Sequence, residues 1–179
     1  MTYALAPVLT TRGETKLNGE NWQAYHHKDL IQHRPVQECI EYGYIYKNLQ
    51  LPKDYFRAVF VRNPFEIVFS AWDKKQDFDE FIFKEVAGKK NLATQWTQYD
   101  YITNHRGQIL VDFVGRFENM KMDWKKFCWI INVPNLELLR LNVSEPEDYR
   151  DYYTDRTIQK VTQLFYKDLK FFNYHYNKG

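Results

Sequence analysis

The chain has 179 residues and a formal net charge of +2, enough length for one domain with its own core and too little charge for nucleic acid to be the main partner. Its 25 basic and 23 acidic residues are intermixed, with no block of one sign. Two cysteines, Cys39 and Cys128, make no disulfide framework, and no stretch approaches a membrane span, so the expected setting is a reducing cytoplasm with no membrane partner.

The opening "MTYALAPVLTTRGETK" lacks the basic start and long apolar run of a signal peptide. "TTRGETKLNGENW" is polar and glycine-containing and reads as a loop. Pro35 splits "HHKDLIQHRPVQECIEYGYIYKNL" into two short helices. Phe56 to Val61 is short, β-branched and aromatic, the pattern of a buried strand. Pro64 cannot continue it but suits the first turn of a helix, and Asn63 is a good N-cap just before. "DFDEFIFKEVAG" has an Asp N-cap candidate and a Gly past its end, the punctuation of a short helix.

"NLATQWTQYDYITNHRG" is long, aromatic and polar, and closes on an Asn-His-Arg-Gly turn. "QILVDFVGRFENM" is a second strand segment, "KMDWKKFCWIINV" an amphipathic helix and "LELLRLN" a third strand. "DRTIQKVTQLFYKDLKFFNY" reads as a long helix whose apolar stripe is Ile158, Val161, Leu164, Phe165 and Leu169. Strands alternating with helices predict an α/β layer fold with a parallel sheet, in one domain over residues 1–179.

In such folds ligands bind at the carboxyl ends of strands, where Arg62 stands. On the helix that follows, Phe65, Val68, Phe69 and Trp72 share one face. Glu66 and Ser70 share another, one turn apart. Arg62, the helix N-terminus and the Ser70 hydroxyl could therefore converge on one anion.

"FVRNPFEIVFSAW" resembles the 3′-phosphate-binding motif of sulfotransferases that use 3′-phosphoadenosine 5′-phosphosulfate (PAPS), and most closely the carbohydrate sulfotransferase-like branch. "HHKDL" resembles the family's His-containing segment. "QWTQYDYITNHRGQILVDFVGRFENMKMDWKKFCWIINV" resembles its middle block, and "YRDYYTDRTIQKVTQLFYKDLKFFNY" its C-terminal block. The likeness runs from about His26 onward, with the stretches in the family's order.

The resemblance implies a P-loop-NTPase-like parallel sheet flanked by helices, with PAPS as co-substrate and no metal. Arg62 and Ser70 would hold the 3′-phosphate, with Asn63 and Pro64 shaping the turn. His26 and His27 would be the candidate catalytic bases, and Gln95, Gln98 and Tyr99 would lie in substrate-facing loops. The acceptor would be a hydroxyl or amine of a carbohydrate or a similar small molecule. Arg116 and Glu118 stand after a strand, either near the site or anchoring the fold. Tyr149, Tyr152 and Tyr153 suit packing more than sugar recognition.

Two departures stand out. Many relatives carry a second Arg three residues after the Pro, where this chain has Ile67. Relatives also begin with a strand and a Lys-x-Gly-x-Thr-like loop that cradles the 5′-phosphosulfate. No such loop precedes His26, and Gly13 and Thr15 in "TTRGETK" are followed by a poor helix. The expectation is a chain truncated at its N-terminus relative to the family, missing the first strand and loop. The alternatives are a degenerate, non-catalytic binding protein of the same fold and, less well matched, a P-loop nucleotide kinase.

Overall fold

The structure is a computed structural model, and it describes residues 10–11, 37, 55–90, 94, 97–133 and 147–177. Apart from Gln37, which is helical, the expected helices around Pro35 lie outside them, as does the strand expected in "LELLRLN". The described residues fall into two compact units. One is drawn from 62–99 and 147–177, the other from 55–61 and 100–133 together with 10–11.

Among the described residues the second unit holds two separate two-stranded sheets. Strand β1 (Thr10–Thr11) pairs antiparallel with β2 (Tyr55–Phe56). Strands β3 (Ala58–Val61) and β4 (Phe113–Arg116) pair in parallel, with Ala58 opposite Phe113 and Val61 opposite Arg116. A parallel pair needs a long crossover, which the intervening chain supplies. The expected strand is thus broken at Arg57, whose N–H donates to the Asp112 carboxylate at 2.8 Å. Arg57 O in turn accepts from Asp112 N and Phe113 N. The fold is mixed α/β with a small parallel pair, as the alternating pattern implied.

A 3₁₀ turn (Phe117–Asn119) leads from β4 into a helix over Met120–Ile130. Asp123 on that helix accepts from Arg116 N at 2.7 Å, tying helix to strand end. The core of this unit is Ala58, Phe113, Phe127 and Cys128, with Phe60 and Trp124 packed against it. Gly115 sits opposite Phe60, and a Cβ there would lie 2.4 Å from the Phe60 ring. The strand can pass the ring only without a side chain.

The first unit is helical. Helix α1 (Pro64–Ala71) starts at the Asn63 cap, with Pro at its first position. Phe65 and Val68 are its buried residues apart from Pro64, on the face the sequence spacing marks. Helix α2 (Phe78–Glu80) is capped by Asp77 and runs into a π-helical turn over Phe81–Val86. The wider turn brings Phe81, Ile82 and Val86 to one buried side. Helix α3 (Gln98–Ile102) has Gln98 and Tyr99 in this unit and its last three residues in the other.

The helix over Met120–Ile130 is α4 in chain order. The long C-terminal helix is two pieces, α5 (Asp155–Leu164) and α6 (Tyr166–Phe171), parted at Phe165. The stripe is in place, since Val161 and Phe165 are buried and Ile158, Leu164 and Leu169 pack against them. Burying side chains of this size contributes roughly 1.5–3 kcal/mol each.

An aromatic group underlies α1. Phe65 meets Tyr153 and Tyr176 edge-on, with centroids at 5.4 and 5.0 Å. Tyr149 stands edge-on to both tyrosines at 6.0 Å. The Tyr153 hydroxyl donates to Phe65 O at 2.9 Å. Desolvation by burial, and then the charges of Tyr149 and Tyr176, hold the Tyr153 phenol well above its ordinary 10.0. Tyr149 and Tyr176 are raised too, chiefly by burial.

Three outcomes follow from this packing. Gly115→Ala should destabilise by about 1–3 kcal/mol, because the Phe60 ring must leave its place; a denaturant melt checks it. Tyr153→Phe should cost about 0.5–1.5 kcal/mol, read as a fall in Tm of roughly 2–4 °C per kcal/mol. The tyrosines are protonated more firmly in the native than in the unfolded state. Stability should therefore hold below the ordinary 10.0 and fall as pH rises past it. Melts across alkaline pH, with Tyr153→Phe showing a shallower fall, provide the measurement.

Candidate functional site

Arg62 is the first residue after β3, where the ladder to β4 has ended at Val61. Its guanidinium turns along α1. Nε donates to Glu66 Oε2 at 2.9 Å and Nη1 to Ser70 Oγ at 3.3 Å. Glu66 and Ser70 are four and eight positions on from Arg62, so one face of α1 presents carboxylate and hydroxyl in turn. The Arg62 and Glu66 side chains are each 26% exposed, an intermediate setting in which the pair is neither fully screened nor desolvated.

Asn63 has a different task. Its side-chain oxygen accepts from Phe65 N at 3.1 Å, and its backbone carbonyl accepts from Glu66 N and Ile67 N at 3.0 Å each. Its amide nitrogen donates to His175 O at 3.1 Å. Pro64 has no N–H to offer. The early N–H groups of α1 therefore already have acceptors within the chain. Beside Arg62 the guanidinium and the Ser70 hydroxyl stand together, while the first N–H groups of α1 are bonded to Asn63.

The backbone of Arg62 is clamped by Gln98. Gln98 Oε1 accepts from Arg62 N at 2.7 Å and Gln98 Nε2 donates to Arg62 O at 2.7 Å. Gln98 is in turn held by Asp168, a carboxylate with 0% exposure. Asp168 Oδ2 accepts from Gln98 N at 2.9 Å and from Gln98 Nε2 at 3.3 Å. Asp168 Oδ1 accepts from Tyr99 N at 2.7 Å. A carboxylate from α6 thus caps the first residues of α3.

Of the residues singled out in the sequence, Arg62, Asn63, Ser70 and Gln98 form one cluster. Tyr99 follows by chain, but its ring packs edge-on to Phe171 at 5.1 Å, with Lys167 Nζ 5.6 Å from the ring centre. His26, His27 and Gln95 lie outside the described residues. Arg116 closes β4 with its N–H on Asp123, and Glu118 is exposed in the turn that follows. Tyr149, Tyr152 and Tyr153 belong to the aromatic packing around α1. Among the described residues no group of His, Cys, Asp and Glu could hold a metal ion. No helix among them is long and apolar enough to cross a membrane.

Asp168 was not singled out from sequence, though a signal existed. It stands three residues after Phe165 and seven after Val161, in phase with the apolar stripe, where an acid must find donors or go unpaired.

A family model described as "Sulfotransferase family" matches residues 20–175. The chain belongs to the sulfotransferase family. The matched span contains the whole Arg62–Ser70–Gln98–Asp168 cluster. No curated protein and no solved structure matches the chain. In this sulfotransferase-family chain the one strand-to-helix turn with an arginine bonded to a helix serine, among the described residues, is that at Arg62.

The Arg62–Glu66 pair makes an electrostatic prediction. A negative ligand at Arg62 also meets the Glu66 carboxylate. Glu66→Gln keeps an acceptor for Nε and removes one charge. At about 6 Å this charge is worth on the order of 1 kcal/mol, so any affinity for inorganic phosphate beside Arg62 should rise about fivefold. The gain should shrink as salt is added. Titration calorimetry at two ionic strengths reads both effects.

Proposed function

We propose that the chain transfers a sulfuryl group from PAPS to a hydroxyl or amine of a carbohydrate or similar acceptor. The observation that carries this reading is the Arg62–Ser70 pair at 3.3 Å, at the turn from a parallel strand into a helix, in a chain matched to the sulfotransferase family. A guanidinium and a hydroxyl within bonding distance of each other can share one phosphate oxygen, and a charged donor makes the stronger bond. In this reading they hold the 3′-phosphate of the nucleotide. Asn63 keeps the turn closed by using up the helix N–H groups.

Sulfuryl transfer is in-line, with a loose transition state, and catalysis is positioning and charge stabilisation. The acceptor O–H or N–H gives its proton to a base as its oxygen or nitrogen bonds to sulfur. The bond from sulfur to the 5′-phosphate oxygen breaks, and adenosine 3′,5′-bisphosphate leaves. His26 and His27 are the proposed bases, since an imidazole accepts a proton near neutral pH. The acceptor's carbohydrate character rests on the branch resemblance of the strand–turn–helix motif.

The test is discrimination at the 3′-position. Wild type should bind adenosine 3′,5′-bisphosphate about ten- to a hundredfold more tightly than AMP. That margin is what a charge-assisted bond of roughly 1.5–3 kcal/mol supplies. Arg62→Ala should remove most of it. Equal affinity of wild type for the two nucleotides would sink the assignment.

Turnover gives a second check. Replacing His26 and His27 by Ala should lower sulfation of a model sugar acceptor while nucleotide affinity stays nearly unchanged. The wild-type rate should fall at acid pH as the imidazole takes up a proton. Full activity in the double variant would rule out both histidines as the base. Tight nucleotide binding without any turnover would mark a binding protein instead of an enzyme.

A further inference from the structure

We propose that Gln98 is a positioning residue for Arg62, and that the buried Asp168 carboxylate holds Gln98 in the orientation this requires. The inference rests on the 3′-phosphate reading above. Arg62 lies one residue past the end of the β3–β4 ladder. Gln98 meets its backbone as a neighbouring strand would. Its amide accepts from Arg62 N and donates to Arg62 O, both at 2.7 Å. Two bonds to one residue's N–H and C=O restrict both of its backbone dihedrals, as a strand partner does.

The orientation of the amide is determined by its surroundings. Nε2 faces two acceptors, Arg62 O and Asp168 Oδ2, while Oε1 faces the Arg62 N–H. A flipped amide would set oxygen against a carboxylate and a carbonyl. Asp168 is wholly buried and accepts three bonds from Gln98 and Tyr99, so it cannot turn away without leaving a charge unpaired. Glutamate at position 98 would fail for the same reason, since it offers Arg62 O no donor and brings a second carboxylate to Asp168.

The consequence reaches the guanidinium. Arg62 has a long side chain whose Nε and Nη1 must meet Glu66 and Ser70 on the next helix. A displacement of the order of 1 Å at its Cα is enough to spoil such a pairing. Gln98 thus acts on bound phosphate through Arg62, without touching the ligand itself.

A double-mutant cycle on the full chain tests this, with affinities for adenosine 3′,5′-bisphosphate and AMP measured by calorimetry. Gln98→Met keeps side-chain length and removes the amide. It should lose about fivefold or more of the preference for the 3′-phosphate, with AMP affinity within about twofold of wild type. In the Arg62→Ala background it should change the preference by less than about twofold, because the residue through which it acts is gone. A folded Gln98→Met variant with its full preference overturns the proposal, as does an equal loss in both backgrounds. If Gln98→Met fails to fold, Gln98→Glu decides, with loss of preference expected and retention overturning it. Should wild type show no preference, or Arg62→Ala keep it, the 3′-phosphate reading itself fails. If those two behave as expected, the Gln98 variants judge Gln98 alone.

Discussion

Asp168 is a carboxylate with no solvent at all, and the arrangement around Arg62 is built on how its charge is satisfied. An ionised group removed from water is tolerated only with donors in place. Its donors include Gln98 and Tyr99, 70 and 69 residues earlier in the chain. Those bonds cap α3 and aim the Gln98 amide, and the amide clamps Arg62 a further 36 residues back. Three segments far apart in sequence are thereby set relative to one another by one buried acid. Hydrogen bonds to a buried charge are worth more, and cost more to lose, than their neutral counterparts.

The turn at Arg62 illustrates a division of labour between neighbours. Asn63 and Pro64 handle the local problem of starting a helix straight after a strand. Asn63 accepts the early N–H groups with both its side chain and its carbonyl. Arg62 and Ser70 are left to present charge and hydroxyl along the helix face. Glu66 sits between them and partly neutralises the guanidinium. A part-buried pair of this kind contributes of the order of 1 kcal/mol or less. The pair helps keep the arginine extended along α1.

The aromatic packing gives this turn a rigid base. Phe65, directly after Pro64, is wedged among Tyr153, Tyr176 and the core residues of α1, α2 and α5. Tyr153 adds a hydroxyl bond to the Phe65 carbonyl, so the first turn of α1 is held by shape and by a directed bond together. Offset and edge-on rings of this kind contribute beyond their buried area. Asn63 adds a bond to the backbone of His175, bringing the C-terminal segment to the same turn.

The sequence by itself determined the elements whose causes are local. Asn63-Pro64 starts a helix because one residue caps and the other cannot donate. Asp77 begins the next helix for the same capping reason. The stripe from Ile158 to Leu169 reads correctly because a helix repeats every 3.6 residues wherever it lies. Arg62 and Ser70 were legible as a pair because Ser70 lies one turn beyond Glu66 on the side of the helix nearer the turn that carries Arg62. Tertiary structure decided the rest. The break at Arg57 depends on Asp112, the π turn at Phe81–Val86 on how three apolar residues share one core, and the parting at Phe165 on where two short helices bury their faces. Gln98 reads in sequence as a residue of a substrate-facing loop, and only the fold shows that its amide is bonded to the backbone of Arg62. Periodicity could show that Asp168 lies in phase with a core, but not which donors meet it there. A buried charge chooses its partners by proximity in space, and only the folded chain brings Gln98 and Tyr99 within reach.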